Sequence, residues 1–194
     1  EHQVLYRIST LPSRFKYINI GKSVNAIAQD TLGLIWYGTN KGLVNNSTDS
    51  FFSAINNVIA DKSVLKIQYD SMSNLWISTS SGLYCFTKDG KSFANFRHDP
   101  KKANSISSDW VFMTEQIGYG KLLTGTIRGL DELDISSGNF KHYNHDPLDS
   151  TSISDNRITD IKKDRFGNIW VGTLKGLNRF DQYTCKFTNN FNVS

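Results

Sequence analysis

The sequence predicts an all-β fold of the β-propeller type, with about four consecutive blades of four antiparallel strands. The first observation is a nine-residue pattern that occurs four times, as IWYGTNKGL (35–43), LWISTSSGL (75–83), LLTGTIRGL (122–130) and IWVGTLKGL (169–177). The threonines of these copies are 40, 47 and 47 residues apart. A period of about 40 to 50 residues of strand-like sequence is typical of propeller blades.

Two further observations support this prediction. The spacer His98-Asp99-Pro100, followed by Ser105-Ile106-Ser107, recurs 47 residues later as His145-Asp146-Pro147 and Ser152-Ile153-Ser154. Upstream of each nine-residue copy lies an apolar run with β-branched residues, such as VNAI at 24–27 and ITDI at 158–161. Alternation of this kind indicates a β-strand in each repeat.

The elements of one blade follow in order. An inner strand at 24–29 ends in the turn Asp30-Thr31-Leu32-Gly33, where Asp accepts bonds from backbone amides and Gly adopts a positive φ. The second strand carries the Trp and the Gly-Thr pair, and after two intervening residues a glycine starts the third. Aromatic residues mark the fourth strand: Phe93 and Phe96, Phe140 and Tyr143, Phe187 and Phe191. Because no helix-length amphipathic stretch stands out, we expect no helix longer than about two turns.

The repeat divides the chain into a lead and four blades. The lead comprises residues 1–22 and contains an outer strand, and the blades span 23–62, 63–108, 109–155 and 156–194. A propeller closes into a ring because an uncovered blade face is a wide apolar surface. We therefore expect these blades to be part of a larger ring.

Composition excludes several classes of protein. The net charge is +4, but the basic residues are dispersed without a Lys/Arg run, so we expect no nucleic-acid binding by this segment. No apolar run reaches the roughly 18 residues of a membrane helix, and no signal-peptide pattern opens the chain. Cys85 and Cys185 fall in non-adjacent blades, so we expect two thiols and no disulfide.

The residues that could perform catalysis recur with the repeat and are better explained by structure. Asp30, Asp70 and Asp164 occupy the turn position, and His98 and His145 occupy the spacer. The tryptophans of the second strands, Trp36, Trp76 and Trp170, suit packing between blades. No metal-ligand spacing or Ser-His-Asp arrangement is evident. We predict no catalytic residue, no metal site and no cofactor.

The residues that depart from the repeat predict a ligand-binding face. Lys41, Arg128 and Lys175 precede the turn glycines, and Trp110 and Arg157 precede inner strands at the same end of the blades. Guanidinium groups bind carboxylate or sulfate, and an indole can stack on a pyranose ring. An anionic or sugar ligand would suit this set. The alternative is that hairpin tips are simply solvated and charged.

The pattern D-x-x-G-x-[IL]-W-x-G-T-x-x-G-L, together with the HDP…SIS spacer, resembles the two-component regulator propeller repeat. This family builds the extracytoplasmic sensor region of hybrid two-component systems in Bacteroidetes-type gut bacteria. The resemblance covers about residues 15–190 and is nearly complete at 164–180. Three departures are Leu123 for Trp, Ile117 for the turn Asp, and Ser78 for Gly.

The resemblance implies a receptor with two seven-bladed propellers, an immunoglobulin-like segment, a membrane helix and a cytoplasmic histidine kinase with receiver and DNA-binding domains. This chain would be the N-terminal part of the first propeller. It would act as a non-catalytic periplasmic sensor of oligosaccharides in a homodimeric inner-membrane receptor, joined to the remaining blades and the second propeller.

One alternative remains, a propeller enzyme acting on glycans or a lyase. Sialidase Asp-boxes read S-x-D-x-G-x-T-W, whereas here the Trp lies three positions after Gly33 or Gly167 and is followed by the Gly-Thr pair. No arginine triad with a Tyr/Glu pair can be placed either. A lyase resembling the streptogramin-inactivating propellers would need a histidine and an acid converging at the channel.

Overall fold

The computed structural model describes residues 5–7, 16–31, 33–45 and 50–189. The two short strands of the lead are β1 (Leu5–Arg7) and β2 (Lys16–Ile18). Blade 1 contains β3 (Val24–Gln29), β4 (Ile35–Thr39), β5 (Gly42–Val44) and a helix, α1 (Ser50–Ile59). Blade 2 contains β6 (Val64–Tyr69), β7 (Leu75–Thr79), β8 (Gly82–Phe86) and β9 (Phe93–Phe96).

The remaining strands complete two further blades. Blade 3 contains β10 (Val111–Gly118), β11 (Lys121–Thr126), β12 (Gly129–Asp134) and β13 (Asn139–Tyr143). Blade 4 contains β14 (Ile158–Lys163), β15 (Ile169–Thr173), β16 (Gly176–Asp181) and β17 (Lys186–Thr188). Within each blade consecutive strands pair antiparallel, and the inner strands β3, β6, β10 and β14 contact one another in that order. The predicted propeller fold is confirmed.

Blade 1 departs from the predicted plan. Its sheet has three strands in the described part of the chain, and α1 lies against β5. The prediction of no helix longer than about two turns is wrong, because α1 has ten residues. Its apolar residues at 51, 52, 55, 58 and 59 follow the helical period, and Ile55 and Ile59 are fully buried against blades 1 and 2. The Asn56 side chain accepts a hydrogen bond from the amide of Leu43 at 3.3 Å, which ties the helix to β5.

The lead forms a small sheet of its own. Strands β1 and β2 pair antiparallel with each other, with Tyr6 opposite Tyr17. The expectation that the lead supplies an outer strand to another blade stays a prediction, as do the predicted blade boundaries. Phe191, expected to mark the last strand, lies outside the described residues.

The repeated Asp builds the first hairpin of a blade and holds the Trp. In blade 2, Asp70 Oδ1 accepts the amides of Met72 and Asn74, both at 2.9 Å. Its Oδ2 accepts the indole Nε1 of Trp76 at 2.9 Å. Trp36 and Trp170 donate in the same way to Asp30 and Asp164, at 3.4 and 3.0 Å. One carboxylate therefore satisfies the turn and a packing Trp together, which explains their fixed spacing.

Blade 3 lacks both members of this pair and replaces them consistently. Ile117 stands where the Asp would be and Leu123 where the Trp would be, and both are buried in the apolar cluster between blades 3 and 4. Without the carboxylate the hairpin tightens to the two residues Tyr119 and Gly120, where Gly120 has φ 72°. The departure noticed in the sequence is thus an exchange of a hydrogen-bonded pair for an apolar one.

The glycine of the Gly-Thr pair allows blades to approach closely. A Cβ on Gly38 would lie 2.5 Å from Cγ1 of Val64 in the next inner strand, and one on Gly125 would lie 2.7 Å from Cγ2 of Ile158. Blade 2 has Ser78 instead, and its hydroxyl hydrogen-bonds Thr114 of the next inner strand. Thr114 takes a position where Ile67 and Ile161 stand in blades 2 and 4. A hydrogen-bonded Ser and Thr thus take the places of the Gly and the Ile that the repeat has at these two positions.

The apolar core consists of layers between successive blades, and each layer is covered only where a neighbour exists. Ile67 faces blade 1 and is 3% exposed, whereas Ile27, at the same position of blade 1, is 54% exposed. Leu130 is fully buried, whereas Leu177, its counterpart in blade 4, is 48% exposed. The outward faces of blades 1 and 4 are therefore open in the described part of the chain.

Candidate ligand-binding face

One end of the blades carries all five residues predicted to bind ligand, and we call it the hairpin face. It consists of the two-residue turns 40–41, 80–81, 127–128 and 174–175 and the residues that start the inner strands, 23, 63, 110 and 157. Backbone hydrogen bonds join turn to strand start: the amides of Asn40, Ser80 and Leu174 donate to the carbonyls of Ser23, Ser63 and Arg157. Each of these three turns is thus tied to the start of the inner strand of its own blade.

The repeated Thr makes these turns rigid. In blade 4, Thr173 Oγ1 donates to the carbonyl of Gly176 at 3.0 Å and accepts the amide of Lys175 at 3.2 Å. The same two bonds recur in the other blades, so the backbone beneath Lys41 and Arg128 is equally fixed. Glycine is required at the end of the turn because φ is positive there, 132° at Gly176. The side chains project from a preorganised backbone.

Blade 4 brings two of the predicted cations together around a carboxylate that sequence analysis missed. Arg157 Nε and Nη2 donate to Asp155 Oδ1 and Oδ2 at 3.1 and 3.2 Å, and Lys175 Nζ lies 3.9 Å from Asp155 Oδ2. Asp155 also accepts the amide of Arg157 at 2.8 Å, which starts the inner strand. The bonds from Arg157, with Lys175 nearby, lower the pKa of the Asp155 carboxyl to about 2.

A sequence signal for Asp155 exists in hindsight. Ser108 occupies the same repeat position in the preceding spacer, and its hydroxyl accepts the amide of Trp110 at 3.1 Å. The position therefore caps the inner strand in both repeats, by a hydroxyl or by a carboxylate. Only the carboxylate can also hold two cations, and it fixes Arg157 in one orientation.

The other predicted residues are exposed on the same face. The Trp110 side chain is 46% exposed, and its ring lies 6.2 Å from that of Phe112. Val111 pairs with Thr126, so Trp110 and the turn that carries Arg128 are at one end of blade 3. Lys41 is exposed in blade 1, where the Nζ of Lys22, a further cation that sequence analysis missed, donates to its carbonyl at 3.3 Å. The face is cationic, with one aromatic platform.

A histidine that sequence analysis did not single out lies in a buried polar cluster. His142 Nδ1 is 2.6 Å from Asp131 Oδ1, and the hydroxyl of Ser107 donates to Asp131 Oδ2 at 2.7 Å. Burial raises the pKa of the Asp131 carboxyl. Burial alone would lower the His142 pKa, but the Asp131 carboxylate and the Ala103 carbonyl outweigh it, so the pKa is raised.

This cluster does not have the geometry of a nucleophilic site. A Ser-His-Asp triad places His between the hydroxyl and the acid, whereas here Asp131 lies between Ser107 and His142. The second ring nitrogen of His142 is 2.9 Å from the carbonyl of Ala103, so both nitrogens have partners. The pair also joins the third and fourth strands and not the inner strand. Asn178 holds the same position in blade 4 and accepts the amide of Ser154, which indicates a structural role.

The repeated histidines hold the spacer loops. His98 Nδ1 is 2.9 Å from the carbonyl of Ile106, and His145 Nδ1 is 2.7 Å from that of Ile153. Because a carbonyl only accepts, each Nδ1 carries the proton. Among the described residues no group of three or more His, Cys, Asp or Glu side chains could hold a metal ion. Cys85 and Cys185 are free thiols, and no helix in the described ranges is long and apolar enough to cross a membrane.

Comparison with known proteins identifies the repeat. Residues 152–175, in the fourth blade, match the two component regulator propeller family. An extracellular domain of a one-component system from B. thetaiotaomicron superimposes with a TM-score of 0.66 at 19% identity, over 88% of this chain and 25% of that one. A similar domain of a hybrid two-component system from the same organism has 21% identity and a TM-score of 0.45 over 86% of this chain and 30% of that one.

Propeller enzymes share the fold as well. A catalytically inactive virginiamycin B lyase from Staphylococcus aureus superimposes with a TM-score of 0.60 at 11% identity, over 100% of this chain and 61% of that one. No curated protein sequence matches this chain. The chain spans about a quarter to a third of the length of the extracellular domains that it resembles. At these identities the superpositions show a propeller fold and not an activity.

Proposed function

We propose that this chain is a non-catalytic ligand-sensing segment of an extracytoplasmic propeller, in the periplasmic part of a hybrid two-component receptor. The observation that carries the proposal is a cationic hairpin face on two component regulator propeller repeats. Lys41, Arg128, Arg157 and Lys175 lie on this face with Trp110, and Asp155 is the acid that Arg157 and Lys175 share in blade 4. Such a set recognises an acidic oligosaccharide, because cations bind its carboxylate or sulfate and the indole stacks on a sugar ring.

Asp155 gives the face a specific way to respond to an anion. The carboxylate holds Arg157 through the Nε–Nη2 edge of its guanidinium in the absence of ligand. An incoming anionic group would compete with Asp155 for Arg157 and Lys175. The charges of Arg128 and Lys41 on the same face would favour its binding. A ligand that binds one conformation of the receptor better than another shifts its population, which is all that a sensor requires.

The proposal includes the neighbours of this segment. Counterparts of the exposed Leu177 in the first three blades, Leu43, Leu83 and Leu130, are each covered by the following blade. We therefore propose that further blades of the same ring cover blade 4, and that a second propeller and a second receptor copy complete an inner-membrane homodimer whose kinase lies in the cytoplasm.

The enzyme alternative receives little support from the site. Hydrolysis or lyase chemistry needs an acid/base pair with a free proton-transfer position beside the ligand. The described His–carboxylate pair, His142 and Asp131, has both ring nitrogens bonded, and Asp131 is occupied by Ser107, which in turn bonds Thr126 beneath the blade 3 turn. Binding without turnover is the function that this geometry supports best.

Titration calorimetry with an acidic oligosaccharide tests the proposed face, on the protein with the blades that complete its ring. We expect Arg128→Ala and Arg157→Ala each to weaken binding by about 1.5–3 kcal/mol, the range for a hydrogen bond to a charged group. Trp110→Ala should cost a similar amount through lost stacking area. Lys91→Ala is the matched control, since Lys91 is exposed and its nearest carboxylate is 4.0 Å away. Unchanged affinity in all three variants would place the ligand elsewhere.

Lys62 is unsuitable as a control, although it precedes the second blade and appears inert in the sequence. Its Nζ donates to the carbonyl of Val58 at 2.8 Å and lies 5.9 Å from the ring centroid of Tyr84. Its removal would alter the C-terminal end of α1 and the packing of blade 2.

A further inference from the structure

A second candidate site lies at the outer edge of the molecule, between blades 2 and 3, and we call it the outer groove. It is a cleft of about 630 Å³ bounded by the loop that follows β9 and by the turn between β12 and β13. This volume is in the range of small-molecule sites, about 300–1,000 Å³. None of its lining residues belongs to the hairpin face, although Arg97 lies beside Gly82, and nothing above assigns it a role.

The walls of the outer groove are fixed before any ligand arrives. The amide of Phe140 donates to the carbonyl of Asn104 at 2.9 Å, and the Asn104 side chain donates to Asn139 Oδ1 at 2.6 Å. The loop itself is closed by Ser105, whose hydroxyl donates to the carbonyl of Asp99 and accepts the amide of Asp99, both at 3.0 Å. A preformed cleft binds without the entropic cost of ordering its walls.

The floor of the outer groove is apolar. Phe96 and Phe140 meet edge to face with ring centroids 5.6 Å apart, beside the fully buried Ile106. Gly138 lies over the edge of Phe96, because a Cβ there would be 3.5 Å from Phe96 Cε1. The absence of a side chain at 138 leaves that ring edge accessible from the cleft.

The rim carries two cations and several amides. Arg97 is exposed and uses Nε and one Nη to bind Asp109, at 3.1 and 2.6 Å, so its charge is compensated in the absence of ligand. Lys102 is exposed and forms no ion pair with another described residue. Asp99, the carboxylate on the lining, accepts the amide of Lys101 at 3.0 Å within its own turn. Lys102 is therefore the cation open to an anionic group, for which Arg97 would exchange Asp109.

Comparison with the next repeat separates the residues that build the outer groove from those that would contact a ligand. The same loop 47 residues later keeps the bonds that close it, since Ser152 bonds Asp146 as Ser105 bonds Asp99, and the amide of Phe187 donates to the carbonyl of Thr151 at 2.8 Å. The residues at the opening all differ: Arg97, Lys102, Asn104, Gly138 and Asn139 correspond to Asn144, Asp149, Thr151, Cys185 and Lys186. The repeat preserves the scaffold, whereas the opening has changed its charge and its shape.

We propose that the outer groove binds an acidic saccharide unit, a sugar ring that carries a carboxylate or sulfate. Arg97 and Lys102 bind the anionic group, Asn104 and Asn139 hydrogen-bond ring hydroxyls, and the open edge of Phe96 contacts the apolar face of the ring. The site needs blades 2 and 3 alone, so it can be present in this chain whether or not the hairpin face is complete.

The test follows the amides of Asn104 and Gly138 by two-dimensional NMR as the 194-residue chain is titrated. The probes are a disaccharide with one uronate, a neutral disaccharide of the same linkage, and sodium sulfate. We expect the uronate disaccharide to bind at least about tenfold more tightly than either of the other probes. The neutral disaccharide lacks the anionic group, and sulfate lacks the sugar ring. Equal binding of sulfate would overturn the saccharide assignment, and no binding by the uronate probe would overturn the site.

The two variants each replace a residue at the opening of the outer groove by its counterpart in the next repeat. Lys102→Asp and Gly138→Cys should each weaken uronate binding about tenfold or more, through reversed charge and a covered Phe96. Both residues occur naturally at the equivalent positions, and Cys185 has a similar backbone, with φ 58° against 72° at Gly138, so the fold should persist and the melting temperature checks this. Lys91→Ala is the control and should leave this binding unchanged, since Lys91 is exposed and lies outside both the outer groove and the hairpin face. Unaltered affinity in both groove variants, or loss in Lys91→Ala, would contradict the proposal.

Discussion

Single residues in this molecule act in pairs, and the pairs explain why departures from the repeat occur together. Asp70 satisfies the turn amides and the indole of Trp76, while blade 3 has Ile117 and Leu123 at both positions. Changing one member of the first pair would leave a buried indole N–H unpaired or a turn carboxylate without its partner. Changing both reproduces an arrangement that the chain already uses.

We therefore expect Asp70→Ile and Trp76→Leu to be strongly coupled. Each alone should destabilise the protein, and the double variant should be more stable than the sum predicts by about 0.5–3 kcal/mol, the range for residues in direct contact. Denaturant unfolding of the four proteins measures this coupling. The matched control combines Asp164→Ile with Trp76→Leu, which lie in different blades, so their effects on the unfolding free energy should add. Additive effects of Asp70→Ile and Trp76→Leu would refute the pairing.

The same carboxylate in blade 4 should make stability depend on acid pH. Bonds from Trp170 and Asn168 lower the Asp164 pKa to about 2, below the value of about 3.9 for an unfolded Asp. The stabilisation is thus present above about pH 4 and lost as pH falls towards 2, since protonation favours the unfolded chain. Unfolding free energies between pH 5 and 2 should fall more steeply for the native chain than for Asp164→Asn. Parallel curves would contradict this assignment.

At the scale of strands and helices, close contact between inner and second strands sets the spacing of blades. Gly125 has no room for a Cβ because Ile158 of the next blade fills the space at 2.7 Å. Gly172, at the same position of blade 4, would meet Thr159 Oγ1 at 2.9 Å, and Thr159 is an exposed residue of its own blade. The same glycine is therefore constrained in blade 3 and less constrained in blade 4.

This difference predicts opposite outcomes for one substitution. Gly125→Ala should destabilise the chain by about 1–3 kcal/mol, because overpacking pushes blades 3 and 4 apart. Gly172→Ala should be close to neutral, because the Thr159 side chain can rotate and Ala restricts the unfolded chain. Thermal unfolding of the two variants distinguishes the effects. Equal destabilisation would show that the glycine is needed within a blade and not between blades.

Most elements could be predicted because the repeat marks them directly. The turn Asp, the Gly-Thr pair and the alternating inner strand place three strands of each blade. Helix α1 was missed for the same reason: the repeat template calls for a fourth strand there, although Phe51, Ile55 and Ile59 carry a helical period. In blade 1 the helical period of these apolar residues determines the structure, and not the strand that the repeat predicts there. The Thr of this blade is 40 residues from the next, against 47 residues in the later blades.

The candidate site was predictable only in part. The turn cations and Trp110 stand out because they break the repeat, but Asp155 does not, since acids and hydroxyls are interchangeable as caps of the inner strand. The outer groove could not be found from sequence, because its lining comes from two blades and its opening depends on a missing side chain at Gly138. Predicting such a site requires knowing how adjacent sheets are positioned against each other, which the sequence does not give.

At the scale of the whole molecule, four blades form a stack in which each is stabilised by its neighbours, and its two end faces are open in the part of the chain that the structure describes. Ile27 on one end and Leu177 on the other are half-exposed, whereas their counterparts inside the stack are buried. An arrangement of this kind gives stability by nearest-neighbour contact and leaves the ends to be covered by further blades. It also leaves the hairpin face and the outer groove free on separate surfaces.

The central claim is that this protein binds an acidic oligosaccharide without transforming it. The most direct measurement incubates the ligand with the protein, follows binding by calorimetry, and analyses the recovered ligand by mass spectrometry. We expect saturable binding, weakened in Arg157→Ala, with the oligosaccharide recovered intact, because the described His142–Asp131 pair has no free position for proton transfer. Steady conversion of the ligand that disappears in His142→Ala would contradict the account and identify the chain as an enzyme.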